Sequence, residues 1–112
     1  MIEQTKTGIP AEDLESLIEI LMKNKNIEEI ILFGSRAKGT YTNGSDIDLT
    51  IKGDKLKLHD ILDAQIELDK LALPWKVDLN IYNRINEPAL IEHINRVGII
   101  LYRRPGISPP AP

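Results

Sequence analysis

Asp46 and Asp48 stand one residue apart and follow the pair Gly34-Ser35 after ten intervening residues. These are residue types from which a phosphate-handling metal site can be built. Two carboxylates at alternate positions offer hard oxygen ligands to a divalent cation. A Gly-Ser pair at a strand end lets backbone amides approach an anion closely. The loop between them, Arg36 to Ser45, is small, polar and basic, and Arg36 and Lys38 lie near enough to neutralise phosphate charge. Asp78, a further acidic residue in an alternating stretch, comes a whole helix later. If the strands carrying the three aspartates are neighbours, their carboxylates can converge. Charges that close repel, so such a cluster persists only with cations in it. Magnesium suits it, since it prefers carboxylate and phosphate oxygens and keeps waters in its shell.

Positioning these groups requires a scaffold, and the hydrophobic pattern supplies one. Residues 1 to 8 are polar and aperiodic and are expected to form a loose leader. From Pro10, the positions Leu14, Leu17, Ile18, Leu21 and Met22 recur at helical spacing, ending near Asn24 to Asn26. Ile27 to Phe33 switches to a β-branched run that is apolar at every residue from Ile30, which predicts a central strand buried on both faces. Ser35 to Lys38 can begin a short helix with Ser35 as its cap, and Asn43-Gly44 marks a turn. From Asp46 to Lys52 the chain alternates, with Asp46, Asp48 and Thr50 on one face and Ile47, Leu49 and Ile51 on the other.

A long helix is predicted over about Lys55 to Leu71 from Leu58, Ile61, Leu62, Gln65, Leu68 and Ala72, with the leucines in the core. Trp75 to Tyr82 alternates again, Val77, Leu79 and Ile81 facing inward and Asp78 outward. Pro88 opens a last helix with the stripe Leu90, Ile91, Ile94 and Val97; Gly98 caps it, and Ile99 to Tyr102 makes a terminal strand. The fold class is therefore α/β (α+β), a mixed sheet of about four strands flanked by helices. One domain spans residues 9 to 103, and a proline-rich tail, expected to be disordered, occupies 104 to 112.

Composition narrows the function classes. A chain of 112 residues with 42% hydrophobic content suits one compact core. A formal charge of −3 gives no basic field to draw the protein onto a polynucleotide, although a metal-bound nucleotide stays allowed. With no cysteine, disulfides, thiolate catalysis and cysteine-ligated zinc are excluded. No apolar run is long enough to span a membrane and no signal-peptide pattern opens the chain, so a cytoplasmic location is the default expectation.

Gly34-Ser35, the ten-residue spacing and Asp46-Ile47-Asp48, with Asp78 downstream, resemble the polymerase-β-like nucleotidyltransferases. The resemblance is closest to their minimal single-domain members, the MNT-type antitoxins paired with HEPN toxins. It covers nearly the whole chain and implies the polymerase-β-like fold. It also implies that Ser35 and its amide, beside Gly34, hold the triphosphate of ATP. Asp46 and Asp48 would ligate two magnesium ions, and Asp78 would complete the metal site and help deprotonate the acceptor hydroxyl. The implied function is transfer of AMP to a protein acceptor, a tyrosine of a HEPN toxin partner. The small size of the chain agrees, leaving no second domain for another acceptor. Homo- and hetero-oligomers both stay open.

Other motifs fail on spacing. Thr40-Tyr41 replaces the Lys-Ser/Thr pair of a P-loop, and Ile51 stands where an EF-hand loop needs glycine. His59 and His93 lack paired ligands and read as surface residues. Trp75 and Tyr82 read as packing or interface residues more readily than as base-stacking ones. Two alternatives to protein AMP transfer remain. One is a binding module that silences a toxin by occlusion; the other is transfer to a small molecule, for which no acceptor residues are visible.

Overall fold

A computed structural model describes residues 7–106. The elements are α1 (Ala11–Met22), β1 (Glu29–Phe33), α2 (Gly34–Lys38), β2 (Ile47–Lys52), α3 (Leu58–Asp69), β3 (Val77–Ile81), a 3-10 turn (Tyr82–Arg84), α4 (Pro88–Val97) and β4 (Ile99–Arg103). They form one four-stranded sheet of order β3-β2-β1-β4. β1 pairs antiparallel with both β2 and β4, whereas β2 and β3, joined through α3, are parallel. The sheet is therefore mixed, as its alternating elements require.

Alternation divides the sheet into two unlike faces. Ile30, Leu32, Ile47, Leu49, Ile51, Val77, Leu79 and Ile81 point to the side covered by α1 and α3, where Leu14, Leu17, Leu21 and Leu68 complete the main core. Burying each such side chain stabilises the fold by roughly 1.5–3 kcal/mol. On the other side, Ile31 and Phe33 pack against Ile94 and Leu90 of α4 and against Tyr82 and Ile85 before it. β1 is buried at all five residues, consistent with a central strand apolar on both faces. Beyond α4 the second face carries Asp48, Thr50, Asp78 and Asn80, in the register Asp48↔Asp78 and Thr50↔Asn80.

The expected helix over 55 to 71 is shorter, and its apolar residues divide. Ile61, Ala64 and Leu68 meet the core, while Leu58, Leu62 and Ile66 stay 58%, 55% and 57% exposed. Residues four apart form one row along a helix, and the row at 58, 62 and 66 lies beside the row that touches the sheet. The assignment of Leu58 and Leu62 to the core is thereby corrected. α3 starts at Leu58 because Asp60 folds back: its carboxylate accepts from the Lys57 amide at 2.8 Å and from the Asn24 side chain at 2.9 Å.

Both chain ends of the domain are tied down further than the sequence suggests. Residues 1–6 of the leader lie outside the described residues, but Thr7 is fully buried. Arg104, assigned to the tail, donates to the carbonyls of Ile27, Asn24 and Met22 beyond the end of α1. Residues 107–112 lie outside the described residues.

The backbone bond to Lys57 is the main cause holding the Asp60 carboxyl below its ordinary pKa, with Asn24 adding to it and burial opposing. Such a depressed carboxylate stabilises the fold above its unfolded pKa and ceases to as pH falls through its folded one. Asp60→Ala should thus cost about 1–2 kcal/mol in urea unfolding at pH 7. The difference from wild type should shrink as the pH drops below about 4.

Candidate active site

The sheet chemistry that makes β1 a buried strand also brings its end, Phe33-Gly34, against Asp48. Phe33 pairs with Asp48 across the β1–β2 ladder. Gly34 takes φ +75°, a left-handed backbone that suits a residue without Cβ. Any Cβ there would fall on the Asp48 carboxylate. Glycine is thus required twice, by backbone angle and by the carboxylate over it.

α2 follows at once. Its cap position is Phe33, without a side-chain bond, so Ser35 is not the cap but the second helical residue. The Ser35 carbonyl closes the turn by accepting from Gly39 and Thr40 amides at 2.9 and 3.1 Å. Lys38 ends the helix in an exposed position. The Gly34 amide does not point to open space: it donates to His93 Nε2 at 3.0 Å. His93 belongs to α4, and its ring meets Phe33 edge-on, with centroids 6.3 Å apart and planes at 79°. Accepting from an amide means that Nε2 carries no proton, so the neutral ring holds its proton on Nδ1. His93, expected at the surface, is half-buried at the motif. Its sequence signal was slight: it shares a helix side with Leu90 and Val97 at i−3 and i+4.

The three aspartates interact on the open face. Asp48 is half-buried, while Asp46, just before β2, and Asp78 are exposed. Asp48 and Asp78 are direct partners in the parallel ladder. Burial raises the Asp48 pKa above its ordinary value, and Asp78 and then Asp46 raise it further by repulsion. Like charges keep exposed carboxylates apart, and among the described residues no three acidic or histidine side chains form a ready-made ligating group. The donor set still suits a hard cation, because it consists of carboxylate oxygens on one face. The neighbouring Asn80 Oδ1 is buried without a hydrogen-bond partner among the described residues.

Arg36 departs from the expected phosphate contact. It is 1% exposed. Its Nε donates to the Ser45 carbonyl at 3.0 Å and Nη1 to the Thr7 carbonyl at 2.9 Å, with Nη2 at 3.5 Å from the Asn43 carbonyl. The guanidinium lies 5.1 Å from the Tyr41 ring centre and 5.0 Å from that of Trp75. Trp75 itself donates to the Asn43 carbonyl at 2.9 Å. With its donors engaged by carbonyls and its faces covered, Arg36 shapes the motif loop from within. A cleft of about 520 Å³ opens beside the site at the start of β3, lined in part by Leu68, Leu73, Trp75, Val77 and Asp78.

Comparison with known proteins agrees with this fold. The family model described as polymerase beta, nucleotidyltransferase matches residues 15–106. Among solved structures, a chain of a toxin-antitoxin crystallised with AMP-PNP superposes with a TM-score of 0.68 at 26% identity, covering 82% of this chain and 74% of the other. The complex of tri-AMPylated Shewanella oneidensis HEPN toxin with MNT antitoxin gives 0.64 at 22% identity, over 83% and 71%. The toxin-antitoxin MntA-HepT gives 0.64 at 22% identity, over 85% and 74%. At that identity the last two show the fold alone. No curated protein matches by sequence.

Two substitutions separate what holds the site from what strains it. Arg36→Ala should lose about 2–4 kcal/mol in denaturant unfolding, since it empties a buried hydrogen-bond network. Asp48→Asn should instead raise Tm in metal-free buffer, because it removes a charge that burial and two neighbours disfavour. A raised carboxyl pKa means that the native state binds more protons than the unfolded chain. Metal-free wild-type stability should therefore rise as pH falls from neutral through the Asp48 titration, and Asp48→Asn should lack that portion of the rise.

Proposed function

Because the chain belongs to the polymerase-β nucleotidyltransferase family, we propose that it is an antitoxin of the MNT type that transfers AMP from ATP to a tyrosine of a HEPN toxin partner. The observation that carries the proposal is the in-register pairing of Asp48 with Asp78 beside Gly34-Ser35, on the one sheet face that no helix covers there. The toxin-antitoxin crystallised with AMP-PNP and the complex of a tri-AMPylated toxin with its antitoxin support the nucleotide and the acceptor class.

In this proposal Asp46 and Asp48 hold magnesium, with Asp78 completing the set. Bound magnesium would neutralise phosphate charge and stabilise the charge that develops during transfer. The Ser35 end of the α2 turn receives the triphosphate, with exposed Lys38 near enough to add positive charge. Asp78 is exposed on β3 beside its ladder partner Asp48, where an acceptor side chain can approach it. Its carboxylate takes the proton of the acceptor hydroxyl. The acceptor oxygen then bonds to the α-phosphorus as the bond to pyrophosphate breaks. Asp48, held by burial and by its place over Gly34, orients the reacting end and does not take the proton. Burial and then the neighbouring Asp78 and Asp46 raise its pKa, and a bound cation would offset that effect.

Full-length protein incubated with α-labelled ATP, magnesium and its co-expressed HEPN partner should transfer label to the toxin. Asp46→Ala should reduce the rate by about a thousandfold, the effect of losing several kcal/mol of transition-state charge stabilisation. Magnesium should raise the wild-type Tm, and should raise that of Asp46→Ala much less. Protection of cells from the toxin by an unlabelling Asp48→Ala variant would leave occlusion as the function and overturn the transfer reading.

A further inference from the structure

Resting on the nucleotidyltransferase reading, we propose that His93 is the positioning residue of the Gly34-Ser35 turn. By holding the Gly34 amide it aims the Ser35 end of the turn at the nucleotide and keeps the Gly34 amide out of the anion site.

The argument starts from the glycine. A residue without Cβ has more than one accessible orientation of its peptide, and Gly34, at φ +75°, is held in one of them by a partner from another element. His93 Nε2 is that partner, at 3.0 Å and across 59 residues of sequence. The acceptor is itself held firmly. The His93 ring is braced edge-on by Phe33, the residue just before the turn. The next residue of α4, Ile94, packs with Ile31 and Phe33 of β1. At the end of α4, Gly98 lies so close to Ile31 and the Ile94 carbonyl that no Cβ would fit between them. α4 is thus seated on β1 as a fixed support from which one imidazole reaches the motif.

The consequence for the site is directional. The Asp48 carboxylate occupies the space a Cβ at position 34 would need, so the position must be glycine and the turn gains no restraint from a side chain of its own. With the Gly34 amide committed to His93, the donors left for phosphate begin at Ser35. A loss of His93 would free the turn to sample orientations other than the one in which Ser35 now opens α2.

The test uses the full-length protein with MgATP as probe, comparing wild type with His93→Ala and His93→Gln, whose carboxamide oxygen can accept the same hydrogen bond. His93→Ala should weaken MgATP binding in calorimetry about tenfold, the effect of one net hydrogen bond and the order it imposes, while the rate at saturating ATP changes less. His93→Gln should restore affinity to within about threefold of wild type. Amide hydrogen exchange at Gly34 should accelerate in His93→Ala and slow again in His93→Gln. Unchanged affinity in a folded His93→Ala, or the absence of rescue by Gln, overturns the positioning role. Tighter MgATP binding by His93→Ala also overturns it, because the imidazole would then be competing with phosphate for the amide. Wild-type protein that neither binds MgATP nor transfers label would remove the nucleotidyltransferase reading itself, a separate result.

Discussion

Carboxylates repel, and the register of β2 against β3 forces two of them together. Asp48 and Asp78 are ladder partners, with Asp46 two residues before Asp48. What holds them there is on the reverse of the same strands. Ile47, Leu49, Ile51, Val77, Leu79 and Ile81 interdigitate with α1 and α3, so slipping either strand by one residue would expose that whole apolar set. The hydrophobic face thereby fixes the position of the charged one. Burial first, and then repulsion from Asp78 and Asp46, raises the pKa of Asp48, the partly buried member of the three.

The motif loop is organised by a different interaction. A buried arginine donates to the carbonyls of Thr7 and Ser45, approaches that of Asn43, and is flanked by the Tyr41 and Trp75 rings. Gly8 lets this cluster close, since a Cβ there would meet the Tyr41 ring and the Arg36 guanidinium. The residues just before α1, the return of the loop and the start of β3 therefore meet at one guanidinium. From the other side, His93 holds the Gly34 amide. The short helix α2, which could not persist alone at five residues, is held at its first residue by His93 and anchored by its own Arg36 to carbonyls outside it.

Much of this arrangement was legible in the sequence because it follows from local periodicity. Strand alternation placed Asp46, Asp48 and Asp78 opposite apolar residues, and the unbroken apolar run of β1 marked a strand covered on both sides. The strand–helix–strand order of β2, α3 and β3 is also the order that a parallel pair requires. What stayed hidden depends on partners distant in the chain. Arg36 reads as a loop cation until the Thr7 carbonyl and the Trp75 ring surround it. His93 reads as a helix-surface residue until α4 lies over Phe33. The row of Leu58, Leu62 and Ile66 satisfies the same periodicity as the core row beside it, and only the docking angle of α3 decides which row is buried.

The spacing between Ser35 and Asp46 acquires a physical meaning from the arginine. Arg36 immediately follows Ser35, and its guanidinium engages the Ser45 carbonyl, immediately before Asp46. The loop thus leaves and returns at two ends of a single side chain, whose length sets how far apart Ser35 and Asp46 can lie. Inserted residues could bulge into solvent without changing that distance only if the Ser45 and Asn43 carbonyls kept their places. The Trp75 indole, donating to the Asn43 carbonyl from the start of β3, constrains that return as well. The Ser35 end and the Asp46 end of the motif are therefore held at a fixed separation by the buried Arg36 side chain. The ten-residue interval is as much a packing length as a chemical signature.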